Sequence, residues 1–339
     1  MRRARLLGRG PSNIYHCTSR VIEGRMIFDK GEKKRIYDYM RAVEAFTGVK
    51  VMTYAILTNH THFLLEVPQA PVLDEAEIMR RVAGLYDKAY VHELEQRLKR
   101  AREDGGQKLV EQILDRYRSH MYDLSEFMKM LQQRISQSYN RRHGRRGPLW
   151  QDRFKSVSVE GKRNAIITMA AYIDLNPVRA GIVDDPRHYR FSGYGEAVGG
   201  KDIARAGIRQ ITAFLGQRDS TWRQHAASYR KHLYMQGGAR AATNRAPSRP
   251  GFSDEEIEAV LRAKGKLTLA QGLHCRVRYF TDGLVLGSRE FVEDTFQHYR
   301  EEFSLKRKTG ARPMKHADWQ GLCTMRDLRC RVIGPPQRV

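Results

Sequence analysis

VKVMTYAILTNHTHFLLEV, residues 49–67, is the stretch that decides the fold. Val49 to Leu57 and Thr61 to Val67 are rich in β-branched and apolar residues, Thr58-Asn59-His60 separates them, and Pro68 closes the second run, so the pair predicts a β-hairpin. Upstream, Ile14 to Arg20 (IYHCTSR) predicts another strand, and Lys33 to Phe46 carries Ile36, Met40, Val43 and Phe46 at helical spacing. Downstream, Leu73 to about Asn140 has helical periodicity and reads as an inserted, lid-like unit, with the polar stretch Arg97 to Gln107 on an exposed helix or loop. Phe154 to Val159 returns as a strand, and Lys162 to Leu175 forms a helix stopped at Asn176-Pro177. The order βαββ(α)βα is that of a ferredoxin-like antiparallel sheet in an α+β fold.

At 339 residues the chain is long enough for more than one unit. The expected organisation is a core over 1–200 with a helical insertion at about 73–140, a helical extension over 201–236, a Gly, Ala, Pro and Arg linker over 237–251, and a small, mostly helical C-terminal unit over 252–339. Within that unit Ser253 and Glu256 have capping-box spacing, and Ser288 can cap a helix through Phe291, Val292, Thr295 and Phe296. It reads either as a DNA-reading module of helix-turn-helix type or as a packing or dimerisation appendage, and a homodimer is compatible with the second reading. No internal repeat is visible.

Charge is the strongest compositional signal. Sixty-one Lys and Arg against 38 Asp and Glu give +23, the footprint of a protein whose partner is rich in phosphates. No apolar run nears the roughly 18 residues of a membrane span, and the basic start lacks the apolar stretch of a secretory signal, so the expectation is a cytoplasmic, nucleoid-associated protein with no membrane partner. Four cysteines without a CxxC pair predict free thiols, and Cys323 and Cys330 with His316 form only a loose zinc pattern.

Three stretches carry candidate chemistry. In Asn59-His60-Thr61-His62, strand alternation projects His60 and His62 from one side, where two imidazoles can grip one ion; alone, such a pair is equally an ordinary pair of hydrogen-bonded histidines. In Tyr172-Ile173-Asp174-Leu175-Asn176-Pro177, a phenol and an amide four residues apart share a helix face, although Tyr172 could simply pack in a core and Asn176 precede a helix stop. From Arg141 to Lys155, the cations Arg141, Arg142, Arg145, Arg146, Arg153 and Lys155 surround Trp150 and Phe154. Arginines neutralise phosphates and aromatic faces stack on unpaired bases, which suits single-stranded DNA; the alternative is a solvated basic loop. Tyr139 is the rival nucleophile, with His143 rather than an amide at i+4. A two-histidine phosphoesterase would need a second H-x-T or H-x-S beside His16-Cys17-Thr18, and none is present at the hairpin.

Taken together, NHTHFLL, SYNRRHGRRGPLWQDRFKS and YIDLNPVRAGIV resemble the single-tyrosine HUH transposases of the insertion sequence 200/605 group, and among them the REP-associated tyrosine transposases, over about residues 11–196. The resemblance implies an HUH catalytic core in which Tyr172 is the nucleophile and His60, His62 and Asn176 bind Mg2+ or Mn2+. It also implies nicking and rejoining of single-stranded, hairpin-bearing DNA, at repeat or element ends, through a 5′-phosphotyrosine. Thr61 departs from the bulky apolar residue usual between the two histidines, but alternation turns it away from the ion. The alternative is a domesticated DNA-binding or repressor protein that keeps the fold without turnover.

Overall fold

The computed structural model describes residues 6, 8, 10–218, 220–234, 279–314 and 319–325. In chain order its first part runs β1 (Ser12–Arg20), α1 (Lys30–Thr47), β2 (Lys50–Ile56), β3 (His60–Pro68), α2 (Glu75–Leu85), α3 (Lys88–Arg118), α4 (Leu124–Arg142), β4 (Lys155–Val159) and α5 (Arg163–Asp174). β1 pairs antiparallel with β3 on one side and β4 on the other, and β2 pairs antiparallel with the outer edge of β3. The sheet order β2-β3-β1-β4, with α1 and α4 as the connecting helices, is the ferredoxin-like α+β arrangement. The expected hairpin forms, its turn closed by the Leu57 N–H bonded to the His60 carbonyl at 2.9 Å.

Alternation along the strands gives each face its own layer. Tyr15, Cys17, Tyr54, Phe63 and Leu65 meet Ile36, Met40 and Val43 of α1 and Phe127, Leu131 and Ile135 of α4. Ile14, Ala55, Leu64, Val157 and Val159 face the other way and meet α5. That helix is apolar nearly all round, as a helix enclosed on every side must be. It is covered in turn by α7 (Gly193–Val198), α8 (Asp202–Ala213) and α9 (Trp222–Tyr234). α8 crosses β2 so closely that a Cβ on Gly207 would lie 2.2 Å from the Met52 carbonyl oxygen, which is why glycine stands there.

Two regions differ from the sequence reading. The helical stretch after Leu73 divides: α2 and α3 bury Ile78, Val82, Leu94 and Leu98 in a cluster of their own, whereas α4 belongs to the core. Its stripe Leu124, Phe127, Met128, Leu131, Ile135 recurs at core-helix spacing and docks on α1. The Arg97 to Gln107 stretch is helical and largely exposed, one of the two states expected, with a break at Gly106, whose φ is 60°. The described part of the C-terminal stretch is not helical throughout. β5 (Val285–Gly287) runs parallel to β4, and β6 (Arg312–Pro313) and β7 (Cys323–Met325) extend one continuous seven-stranded sheet. Ser288 does cap the helix Arg289–His298, its Oγ accepting the Phe291 N–H at 3.2 Å. The linker 237–251, the Ser253 and Glu256 capping box, and His316 and Cys330 of the loose zinc pattern lie outside the described residues.

Asp174, fully buried at the end of α5, ties the second face together. Its carboxylate accepts from Thr53 Oγ1 of β2 at 2.9 Å, Tyr229 Oη of α9 at 2.6 Å and the Tyr194 N–H of α7 at 3.1 Å. Burial pushes its pKa up to about 6 despite these donors. A carboxyl with a raised folded pKa is most favourable when protonated, so this group's contribution falls as pH rises through that value. His16, lowered to about 4 by burial, has the opposite slope over much of the same range, so the two must be separated by mutation. Asp174→Asn should fold with Oδ1 still accepting from the Tyr194 N–H and Thr53, and with the new amide nitrogen donating to a reversed Tyr229 hydroxyl. From about pH 4 to about pH 7 the wild type should lose up to about 3 kcal/mol relative to that variant. Asp174→Ala, which strands three donors, should cost about 3–5 kcal/mol at neutral pH in denaturant titrations.

Candidate active site

Register places three histidines on the α5 face. His62 stands opposite Ala55 of β2 and Thr18 of β1, His60 opposite Arg20, and His16 opposite Leu64 and Val157. Thr61, between the two hairpin histidines, pairs with Ser19 and Ile56 and points into the α1 and α4 layer. The rings of His16 and His62 lie nearly coplanar, edge to edge, with centroids 5.1 Å apart, and His60 meets His62 edge-on at 5.1 Å. His16 and His62 are 0% and 3% exposed. Burial lowers the His16 pKa to about 4 and holds that of His62 well below the usual imidazole value; for His62 the nearby His60, His16 and Arg179 charges add to the effect. Both rings are therefore neutral at physiological pH, the state in which a ring nitrogen binds a metal.

α5 brings Tyr172 over this cluster, its ring centroid 6.1 Å from His62 and 6.0 Å from His16. The phenol is enclosed. The Arg179 guanidinium lies 4.2 Å from the centre of the ring and donates to the Tyr172 carbonyl, and the Phe280 ring packs at 4.5 Å on another side, leaving Tyr172 4% exposed. Asn176, which begins the short helix α6 (Asn176–Arg179), donates from Nδ2 to the Tyr172 carbonyl at 3.1 Å, which leaves ligation to Oδ1. Pro177 is accommodated in the first turn of α6 rather than ending the helical path.

The residues fit a divalent cation by their donor chemistry. His60 donates from Nδ1 to Asn59 Oδ1 at 2.5 Å, because the Asn59 amide nitrogen is itself committed to the Gly24 carbonyl; this turns the lone pair of His60 to Nε2. No group of three or more His, Cys, Asp or Glu among the described residues is arranged to hold an ion, so a cation here would rest on two imidazoles and the Asn176 amide oxygen.

The basic segment runs along the β1 end beside His60: the Gln151 N–H bonds to the Arg20 carbonyl at 2.9 Å and the Ile22 N–H to the Leu149 carbonyl at 3.0 Å. Arg141, Arg146 and Arg153 are exposed. Arg142 is paired with the buried Glu32, Arg145 lies over the Tyr139 ring, and Lys155 Nζ is 3.2 Å from Asp282. The two aromatic residues are not open stacking platforms. Phe154 is buried in the α1 and α4 layer, while Trp150 packs on Phe28 at 5.8 Å and donates from Nε1 to the Gln132 carbonyl at 3.0 Å. Tyr139, the rival nucleophile, lies in that same layer, stacked on His143, with the sheet between it and the histidines.

His16 entered the sequence reading only as the H-x-T half of a two-histidine phosphoesterase, and Arg179 and Phe280 were given no role there. Arg179 stands seven residues after Tyr172, two helical turns on, a spacing that could have revealed it. Phe280 could not have been found, since nothing local links it to β1.

No family model and no curated protein matches the chain. Among solved structures it is similar to one described as a REP-associated tyrosine transposase bound to a REP hairpin, with 12% identity and a TM-score of 0.39, covering 59% of this chain and 87% of that one. No helix among the described residues is long and apolar enough to cross a membrane.

Because Trp150 is held by packing and a hydrogen bond, Trp150→Ala should lower stability by about 2–3 kcal/mol in urea denaturation. A variant of unchanged stability that loses affinity for single-stranded oligonucleotides would instead show the indole serving as a stacking surface.

Proposed function

We propose that this protein cuts and rejoins single-stranded DNA, with Tyr172 as nucleophile and a divalent cation on His60, His62 and Asn176. The observation that carries the reading is the approach of the Tyr172 ring to 6.1 Å from His62, on the face that also presents His60, with the basic segment bonded through the Gln151 N–H to Arg20, the residue opposite His60.

A phenol with a pKa near 10 is a weak nucleophile at neutral pH and needs electrostatic help. The Arg179 guanidinium against the ring can meet a phosphate oxygen as negative charge develops there. In-line attack by Tyr172 Oη on the phosphorus forms the Oη–P bond and breaks the P–O3′ bond. The phenolic proton goes to solvent or a base, the leaving oxygen takes up a proton as a 3′-hydroxyl, and the DNA remains joined as a 5′-phosphotyrosine. Attack by another 3′-hydroxyl reverses these steps and joins new ends without ATP. A bound Mg2+ or Mn2+ would supply Lewis-acid polarisation of the scissile phosphate, with imidazole ligands favouring Mn2+.

The proposed substrate is a hairpin-bearing single strand, in line with the motif resemblance and the charge excess. A second reading, DNA binding without turnover, is favoured by the enclosure of Tyr172 beneath Phe280 and Arg179. Cleavage assays on single-stranded hairpin oligonucleotides drawn from the flanks of the gene, with and without Mn2+, separate the two. Tyr172→Phe should reduce nicking by a factor on the order of 10³ or more while Tyr139→Phe retains it. Equal binding by wild type and Tyr172→Phe, with no cleavage by either, would favour the binding protein.

A further inference from the structure

His16 is buried on the strand beside the hairpin, and both of its ring nitrogens are committed. Nδ1 lies 2.7 Å from the Phe280 carbonyl oxygen and Nε2 lies 2.9 Å from His62 Nδ1. These two distances determine where every proton must sit. A carbonyl oxygen only accepts, so His16 Nδ1 must carry the hydrogen; the opposite tautomer would set two lone pairs against each other at 2.7 Å. A neutral His16 then has its lone pair on Nε2, and the hydrogen in the contact with His62 must come from His62 Nδ1. That places the lone pair of His62 on Nε2. His60 reaches the same state by a different route, through Asn59.

We propose that His16 is a positioning residue: anchored by the Phe280 backbone carbonyl, it fixes the tautomer and ring plane of His62 so that Nε2 is the nitrogen offered to the cation. The inference rests on the reading that His60 and His62 hold a divalent ion, and it adds a dependence of that ion site on a carbonyl of the C-terminal stretch. The rings lie edge to edge and nearly coplanar, 9° between their planes, and this in-plane contact restricts rotation of the His62 ring. Neither partner is exposed, so water cannot substitute for His16 without opening the core. Second-layer partners of metal-bound imidazoles are worth roughly 10–100-fold in metal affinity.

The test uses the full-length protein and Mn2+ as the probe. Isothermal titration with Mn2+ should give one site in the wild type that is lost in His62→Ala. In His16→Leu that site should be weakened roughly 10–100-fold, with unchanged binding of a single-stranded hairpin oligonucleotide in EDTA. His16→Gln, whose amide can both donate and accept, should recover part of the loss. Wild-type affinity in a folded His16→Leu variant would overturn the inference while leaving the ion site intact. Absence of a His60- and His62-dependent site in the wild type would overturn the ion reading itself, and this inference with it. Should His16→Leu fail to fold, long-range proton–nitrogen spectra of the metal-free wild type labelled with 15N-histidine decide the matter without it. They should show the Nδ1–H tautomer for His62, assigned with His62→Gln, and finding Nε2–H there would sink the proposal.

Discussion

A carboxylate deprived of water is tolerated only where donors replace what it lost, and Asp174 finds its three on three different elements: Thr53 on β2, Tyr194 on α7 and Tyr229 on α9. Rotating or sliding α5 would break these bonds together. At about 100° per residue, positions two before and two after Asp174 lie close to one another on the far side of the helical path. These are Tyr172 and Asn176. The anchor that secures the helix therefore also aims the phenol and the amide, and the apolar remainder of α5 leaves no second way to seat it on the sheet. The position of the candidate nucleophile is thus a consequence of a buried polar contact on the side of the helix away from it.

The elements that could be read in advance were those with a strong local period. β1, the β2 and β3 hairpin, α1 and α5 fall where alternation and helical spacing put them, because each buries a face defined by its own residues. The same alternation brought His60 and His62 to one side. What could not be read was partnership across the sheet. His16 is on the right face by parity alone, but only the pairing of β1 with β3 sets it against His62, and pairing is a non-local property. α4 resembled the helices before it in periodicity, and its place in the core depends on how α1 presents its stripe. Trp150 and Phe154 looked like stacking residues because they are aromatic and lie among arginines; composition does not reveal that Phe154 enters the core or that Trp150 is half-buried against Phe28.

Charge has the same lesson. The 61 Lys and Arg are not all presented to solvent: Arg142 neutralises the buried Glu32, and Arg41 bridges Glu44 and Glu196 beneath two tyrosines. Cations spent inside the molecule hold α1 to α4 and α1 to α7. The number of cations open to solvent is therefore smaller than the formal count.

The hydrogen bond between His16 and the Phe280 carbonyl spans 264 residues of chain. During synthesis from the N-terminus, the strands carrying the histidines and the helix carrying Tyr172 are made first, and the piece that covers them comes much later. At about 5–20 residues per second, the interval between Tyr172 and Phe280 lasts roughly 5–20 s. For that time the histidine strands and the helix carrying Tyr172 lack the Phe280 segment that covers them, so burial of this cluster is completed late in translation.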